Sequence, residues 1–284
     1  MRARDVRYGS GGAPAEPLAS GPDLSDLTAT TYDYTGKVGT GSDDFQGIAF
    51  SADGLQMICT RDTDDDIVQF DLSPAWDVSS MTYDGPPIDW GGLFQQPQDC
   101  DWSGDGTILV AIHSSGDKYY WATMSTPYDI QTSGAASSEL IGEGVVIPGG
   151  ITFNTDGTKM FIGIYLGASD HDMWEYTLST PYIPSSRGVG TKVIDTITNQ
   201  AFPGYGNIFS PDGLKFYCGD TIDAKIYQYN LSVAFDLTTA VFQSGETITV
   251  GAANIAGMHM RPDGTEIYSC HSTERKVITR WAPA

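Results

Sequence analysis

Short runs of apolar and polar positions, punctuated by glycine and by Asp-Gly pairs, recur along the whole chain. Gly47-Ile-Ala-Phe-Ser, Gly150-Ile-Thr-Phe-Asn, Gly206-Asn-Ile-Phe-Ser and Gly257-Met-His-Met-Arg follow one pattern, with Asp99-Cys-Asp-Trp-Ser a degenerate copy. Each run precedes an Asp-Gly pair: Asp53-Gly54, Asp105-Gly106, Asp156-Gly157, Asp212-Gly213 and Asp263-Gly264. A second apolar run follows each pair, as in Lys159-Met-Phe-Ile-Gly and Lys215-Phe-Tyr-Cys-Gly. Such pairs of runs predict hairpins, because glycine supplies the positive φ that a tight turn needs. The turns are spaced by 52, 51, 56 and 51 residues. In a β-rich chain, a period of that size predicts a repeat array such as a propeller.

The repeat extends beyond the hairpin. A third strand is expected at Asp66-Ile-Val-Gln-Phe-Asp-Leu-Ser, Lys118-Tyr-Tyr-Trp-Ala-Thr-Met-Ser, Met173-Trp-Glu-Tyr-Thr-Leu-Ser and Lys225-Ile-Tyr-Gln-Tyr-Asn-Leu-Ser. A turn with a recurring aromatic follows (Trp76, Tyr128, Tyr182, Phe235), then a fourth strand such as Thr238-Thr-Ala-Val-Phe-Gln. Four antiparallel strands in about fifty residues make one propeller blade. The fifth unit ends after its third strand, Lys276-Val-Ile-Thr-Arg-Trp, while Asp26-Leu-Thr-Ala-Thr-Thr-Tyr stands before any first strand. The reading is an all-β, five-bladed β-propeller over residues 24–284, closed by an N-terminal strand at residues 27–33 that completes the last blade. Closure of this kind removes an exposed sheet edge. The competing arrangement, an open array of hairpins, leaves the leading strand without a role.

Residues 1–23 differ in kind, being rich in Gly, Pro, Ala and Ser with three arginines in the first seven positions. They read as an extended arm, either folded back on the ring or docked into a partner. Arg2, Arg4, Arg7 and Tyr8 are its candidate partner-binding residues. The net charge of −21 disfavours a direct grip on nucleic acid or on an anionic membrane, both of which require lysine and arginine. No apolar run is long enough to span a bilayer. The four cysteines (Cys59, Cys100, Cys218, Cys270) form no CxxC pair, and Cys59, Cys218 and Cys270 fall at or near one repeat position, so buried free thiols are expected.

Candidate chemistry is sparse. No HExxH, GxSxG or glycine-rich phosphate loop occurs. Carboxylates at Asp43, Asp44, Asp99 and Asp101 are placed to face the ring axis, where a glycosidase would hold its acid and nucleophile. The irregular first strands carry no distinct acid, base and orienting set, so no catalytic residue is assigned. Asp62, Asp64 and Asp66 offer oxygen ligands at alternate positions, a candidate calcium site that lacks the glycine and distal Glu of an EF-hand loop. The alternative is a solvated loop. The turn aromatics read as packing wedges rather than sugar platforms, because they recur once per blade.

The compound pattern of Gly150-Ile-Thr-Phe-Asn-Thr-Asp-Gly-Thr-Lys-Met-Phe, Glu175-Tyr-Thr-Leu-Ser-Thr-Pro-Tyr and Ser125-Thr-Pro-Tyr-Asp-Ile resembles the repeat of many structural proteins of tailed bacteriophages. The resemblance covers the ring and not the arm. Blade three departs from it, with Pro184 where Asp is expected, and blade five lacks the aromatic turn. The resemblance implies a non-enzymatic virion component, on the tail or as a head decoration, exposed on the particle. Its partners would be other virion proteins through the arm, and host-surface glycans. A free carbohydrate-binding lectin and a five-bladed glycoside hydrolase are the alternatives.

Overall fold

The computed structural model describes residues 18–37, 45–92, 95–114, 116–142, 147–167, 170–195, 203–220, 223–249, 255–271 and 277–284. Each blade is a four-stranded antiparallel sheet. Blade one comprises β2 (Phe45–Phe50), β3 (Gln56–Arg61), β4 (Asp66–Asp71) and β5 (Thr82–Tyr83). Blade two comprises β6 (Pro97–Trp102), β7 (Ile108–His113), β8 (Lys118–Thr123) and β9 (Ser137–Leu140). In blade three lie β10 (Ile147–Phe153), β11 (Lys159–Gly167), β12 (Asp170–Thr177) and β13 (Thr191–Asp195). Blade four holds β14 (Pro203–Phe209), β15 (Lys215–Asp220), β16 (Lys225–Leu231) and β17 (Ala240–Thr249). Blade five is built from β18 (Ile255–Met260), β19 (Ile267–His271), β20 (Val277–Pro283) and, as its outer strand, β1 (Leu27–Asp33). The expected closure is therefore present, in a register running from Leu27 opposite Pro283 to Asp33 opposite Val277. The inner strands β2, β6, β10, β14 and β18 touch in sequence, and β18 returns to β2.

Sheets present two faces, and here each face packs on a neighbouring blade. One apolar cluster therefore fills each of the five blade junctions. Phe50 and Phe70 of blade one meet Tyr268 and Cys270 of blade five, and Ile58 meets Leu109 of blade two. Ile112 meets Ile162, Phe161 meets Phe209, and Tyr217 meets Ile255. Each fully buried large side chain stabilises by about 1.5–3 kcal/mol, so the ring is held by its junctions. All four cysteines are buried free thiols within this core.

Two details of the sequence reading are revised. Thr238 and Thr239 belong to a 3-10 turn over Leu237–Thr239, and the fourth strand starts at Ala240. In blade three it is Ile183 that takes the position of Asp77, Asp129 and Asp236, while Pro184 is the first residue of the turn.

Residues assigned above to the arm are partly built into the ring. Asp23 precedes a 3-10 turn over Leu24–Asp26. The Leu24 amide donates to Gln228 Oε1 of blade four at 3.1 Å, as the Ile130 amide of blade two donates to Gln69 of blade one at 2.9 Å. Tyr217 donates its hydroxyl to the Pro22 carbonyl, as Tyr268 does to that of Trp76. Residues 19–24 are thus the missing turn of blade five, with Pro22 in the aromatic slot. Arg2, Arg4, Arg7 and Tyr8 lie outside the described residues.

Candidate functional site

The five Asp-Gly turns share one geometry. In each, the glycine amide donates to the carbonyl three residues back, for example Gly54 to Ser51 at 2.9 Å and Gly264 to Arg261 at 2.8 Å. The Asp side chain accepts the amide two residues on, as Asp105 Oδ1 does from Thr107 at 3.0 Å. The aromatic of the same blade lies directly on the glycine. A Cβ at Gly54 would sit 2.1 Å from the Trp76 ring, and one at Gly157 would sit 2.3 Å from that of Tyr182. Trp76, Tyr128, Tyr182 and Phe235 are half-buried and occupy the left-handed region, with φ between 54° and 66°. Each donates its amide to the glycine carbonyl at 2.9–3.0 Å. They also reach the preceding blade, for Trp76 lies against Tyr268 and His259 of blade five. They are wedges that clamp their own turn.

Near these turns the ring encloses a cavity of about 330 Å³. All five inner strands line it, through Ile48, Asp101, Phe153, Asn207 and His259 among others, and Leu18 stands at its rim. Phe209, Phe235, Met258 and Met260 make most of its wall apolar. The hairpin bonds from Ser51, Ser103, Asn154, Ser210 and Arg261 fix which positions correspond between blades. Two residues before these stand Ala49, Asp101, Thr152, Ile208 and His259, so two titratable groups depart from an otherwise small or apolar layer.

Asp101 keeps access to the cavity. Burial raises its pKa to about 7, against the lowering effect of bonds from the Trp102 and Phe153 amides and the Thr152 hydroxyl. The Trp102 amide lies 2.9 Å from Oδ1. Burial among aromatics lowers His259 to about 4, leaving a neutral imidazole whose Nε2 has no hydrogen-bond partner among the described residues. Phe50 packs on that ring at 5.2 Å.

Asp99 belongs to a tighter layer. It stands where the other blades have Gly47, Gly150, Gly206 and Gly257. Neighbouring inner strands crowd there, since a Cβ on Gly257 would lie 2.7 Å from the Gly47 Cα, and one on Gly47 would lie 2.8 Å from the Asp99 Cα. Asp99 is 2 % exposed, and its Oδ2 accepts the Ile151 amide at 3.0 Å. Burial pushes its pKa well up. Asp99 and Asp101 therefore sit on one strand and serve the free amides of β10, rather than flanking a substrate from opposite sides. Asp43 and Asp44 lie outside the described residues.

The acidic run is organised around a cation already in the chain. Arg61, 2 % exposed, grips Asp66 with two bonds of 2.7 and 2.6 Å and reaches Asp64 at 3.0 Å. Two of the three candidate calcium ligands thus neutralise a buried guanidinium. Among the described residues no group of three or more His, Cys, Asp or Glu side chains is placed to hold a metal ion. The pairing of Arg61 with Asp66 across β3 and β4 was not anticipated, although their position at the two ends of one hairpin loop was a usable signal.

No protein-family model matches the chain, and no curated protein matches it in sequence. Solved structures do resemble it. A chain from a nidogen–laminin complex superposes with a TM-score of 0.54 at 12 % identity, over 80 % of this chain and 72 % of that one. A proposed gluconolactonase gives 0.51 at 12 % identity, over 93 % and 97 %. A proposed 6-phosphogluconolactonase from Bacteroides uniformis gives 0.45 at 15 % identity, and the present chain covers 55 % of its length. At these identities the likeness is one of fold: the chain is a β-propeller.

Proposed function

We propose that this protein is a non-catalytic virion component of a tailed phage, in which the propeller is displayed on the particle and the segment ahead of residue 18 attaches it. The repeat pattern supports the class. The attachment of the N-terminal segment is the structural observation that carries the reading. Lys215 Nζ bonds the Gly21 carbonyl and Asp23 at 2.7 Å, and the Asp212 amide bonds the Ala19 carbonyl at 3.2 Å. A partner that grips residues 1–17 is thereby coupled to two blades rather than to a loose tail. Asp99 and Asp101, the two described axial carboxylates, are engaged with backbone amides, which favours binding over turnover. Host-surface glycans are the ligands we assign to the displayed ring.

The test compares the full chain with a protein starting at Leu18, encoded in the phage genome. Both should fold with the same melting temperature, and only the full chain should be found in purified particles. Incorporation of the shortened protein at normal copy number would remove the tether. A ring that is absent from particles yet binds glycans in isolation would indicate the free lectin, and oligosaccharide turnover would indicate the hydrolase.

A further inference from the structure

We propose that the axial cavity binds a small organic cation with an apolar body, and that Asp101 is its counter-ion. This inference is independent of the particle reading. Its volume of about 330 Å³ falls in the range of small-molecule sites, which combine apolar walls with a few placed polar groups. The wall offers aromatic faces and polarisable thioethers, from Phe153, Phe209, Phe235, Met258 and Met260, and both surfaces suit an alkyl- or arylammonium group.

The charge balance selects the sign of the ligand. None of the described lining residues is Lys or Arg, so the one carboxyl among them has no counter-charge there. The groups packed around it add none. Burial pushes the pKa of Asp99 on the same strand well up, disfavouring its charged form, and the phenols of Tyr128 and Tyr182 on the flanking turns are raised away from ionisation. His259 across the layer is neutral. The protein's net charge of −21 raises the local concentration of cations at any mouth it presents. Asp101 accepts from two amides and a hydroxyl, whereas a carboxylate has about four lone-pair sites, so room is left for an N⁺–H donor. The repeat itself does not call for an acid at this position, because the equivalent residues are Ala49, Thr152, Ile208 and His259.

Titration calorimetry of the full chain with phenethylammonium chloride at pH 6.5 tests the proposal. Saturable binding is expected, with release of a fraction of a proton as the cation ionises Asp101, read from the dependence of the heat on the buffer. The neutral isostere 2-phenylethanol should bind more weakly and release none. Asp101→Asn should abolish the proton release and weaken binding by roughly thirtyfold or more, the usual consequence of removing one partner of a desolvated charge pair. Leu18→Trp, which crowds the rim without touching the carboxyl, should weaken binding while leaving the protons released per bound ligand unchanged. Absence of saturable binding at millimolar ligand, equal affinity for the alcohol, or binding to the wild type without proton release would each overturn the assignment, whatever the stability of the variants.

Discussion

At Gly157 the backbone has φ +68° and the Tyr182 ring rests where a side chain would begin. A left-handed conformation alone costs an L-residue about 1–2 kcal/mol, and an added methyl must also displace the ring. Gly157→Ala should therefore lower the unfolding free energy by more than that amount. Gly36→Ala supplies the comparison, since Gly36 has φ +75° and nothing within 4 Å of its absent Cβ. Equal losses at the two sites in denaturant unfolding would show that the clamp contributes nothing. A second residue-scale consequence concerns pH. The folded pKa of Asp101 is raised to about 7, so its contribution is present in acid and is lost as pH rises from about 4 to 7. His259 and His271 are depressed to about 4, so theirs is lost as pH falls below 6.5. Between roughly pH 4 and 6.5 the folded chain keeps at Asp101 a proton that the unfolded chain has lost, which opposes by one proton the effect of the two imidazoles. Asp101→Asn should therefore steepen the rise of stability with pH in this window by about 1.4 kcal/mol per pH unit. Unfolding curves at a series of pH values would show it, and an unchanged slope would mean that Asp101 titrates normally.

The blade turn is the element in which sequence and structure can be compared most closely. Asp77, Asp129 and Asp236 cap their 3-10 turns by accepting the amide two residues on, at 2.9–3.0 Å. Ile183 holds the same backbone conformation, φ −102° and ψ 101°, with no cap. Ile183→Asp should accordingly stabilise the protein by roughly 0.5–1 kcal/mol, seen as a higher denaturation midpoint, and a loss would mean that Ile183 packs better than it caps. The hairpins, third strands and closing strand were legible because Asp-Gly and Leu-Ser-x-x-aromatic recur at fixed offsets. The turn of blade five was not. Its residues sit at the other end of the chain, and Pro22 replaces the aromatic that marks the motif. The cavity was legible only in part. Asp99 and Asp101 stood out as departures within the first strands, whereas His259 did not, and alternation gives no depth along the axis. It could not separate Asp99, at the crowded layer of glycines, from Asp101 in open space below. Nor does a run of acidic residues in sequence reveal that Arg61 lies folded among them.

At the scale of the whole molecule, closure joins the most distant parts of the chain. Thr28 bonds the Ala282 carbonyl across 254 residues, and sheet five contains the first strand and the last three. On the ribosome, then, the closing strand is made before four whole blades and its partner only after them. Until then a nascent chain carries an unmated strand beside four blades able to form as they emerge. Two such chains growing on one message present each other with the same vacancy, so a strand from one copy can complete the ring of its neighbour. Removing residues 277–284 makes that vacancy permanent, and the shortened protein should self-associate in a concentration-dependent way by sedimentation while the full chain does not. A shortened protein that stays monomeric would show that an incomplete fifth blade can protect its own edges.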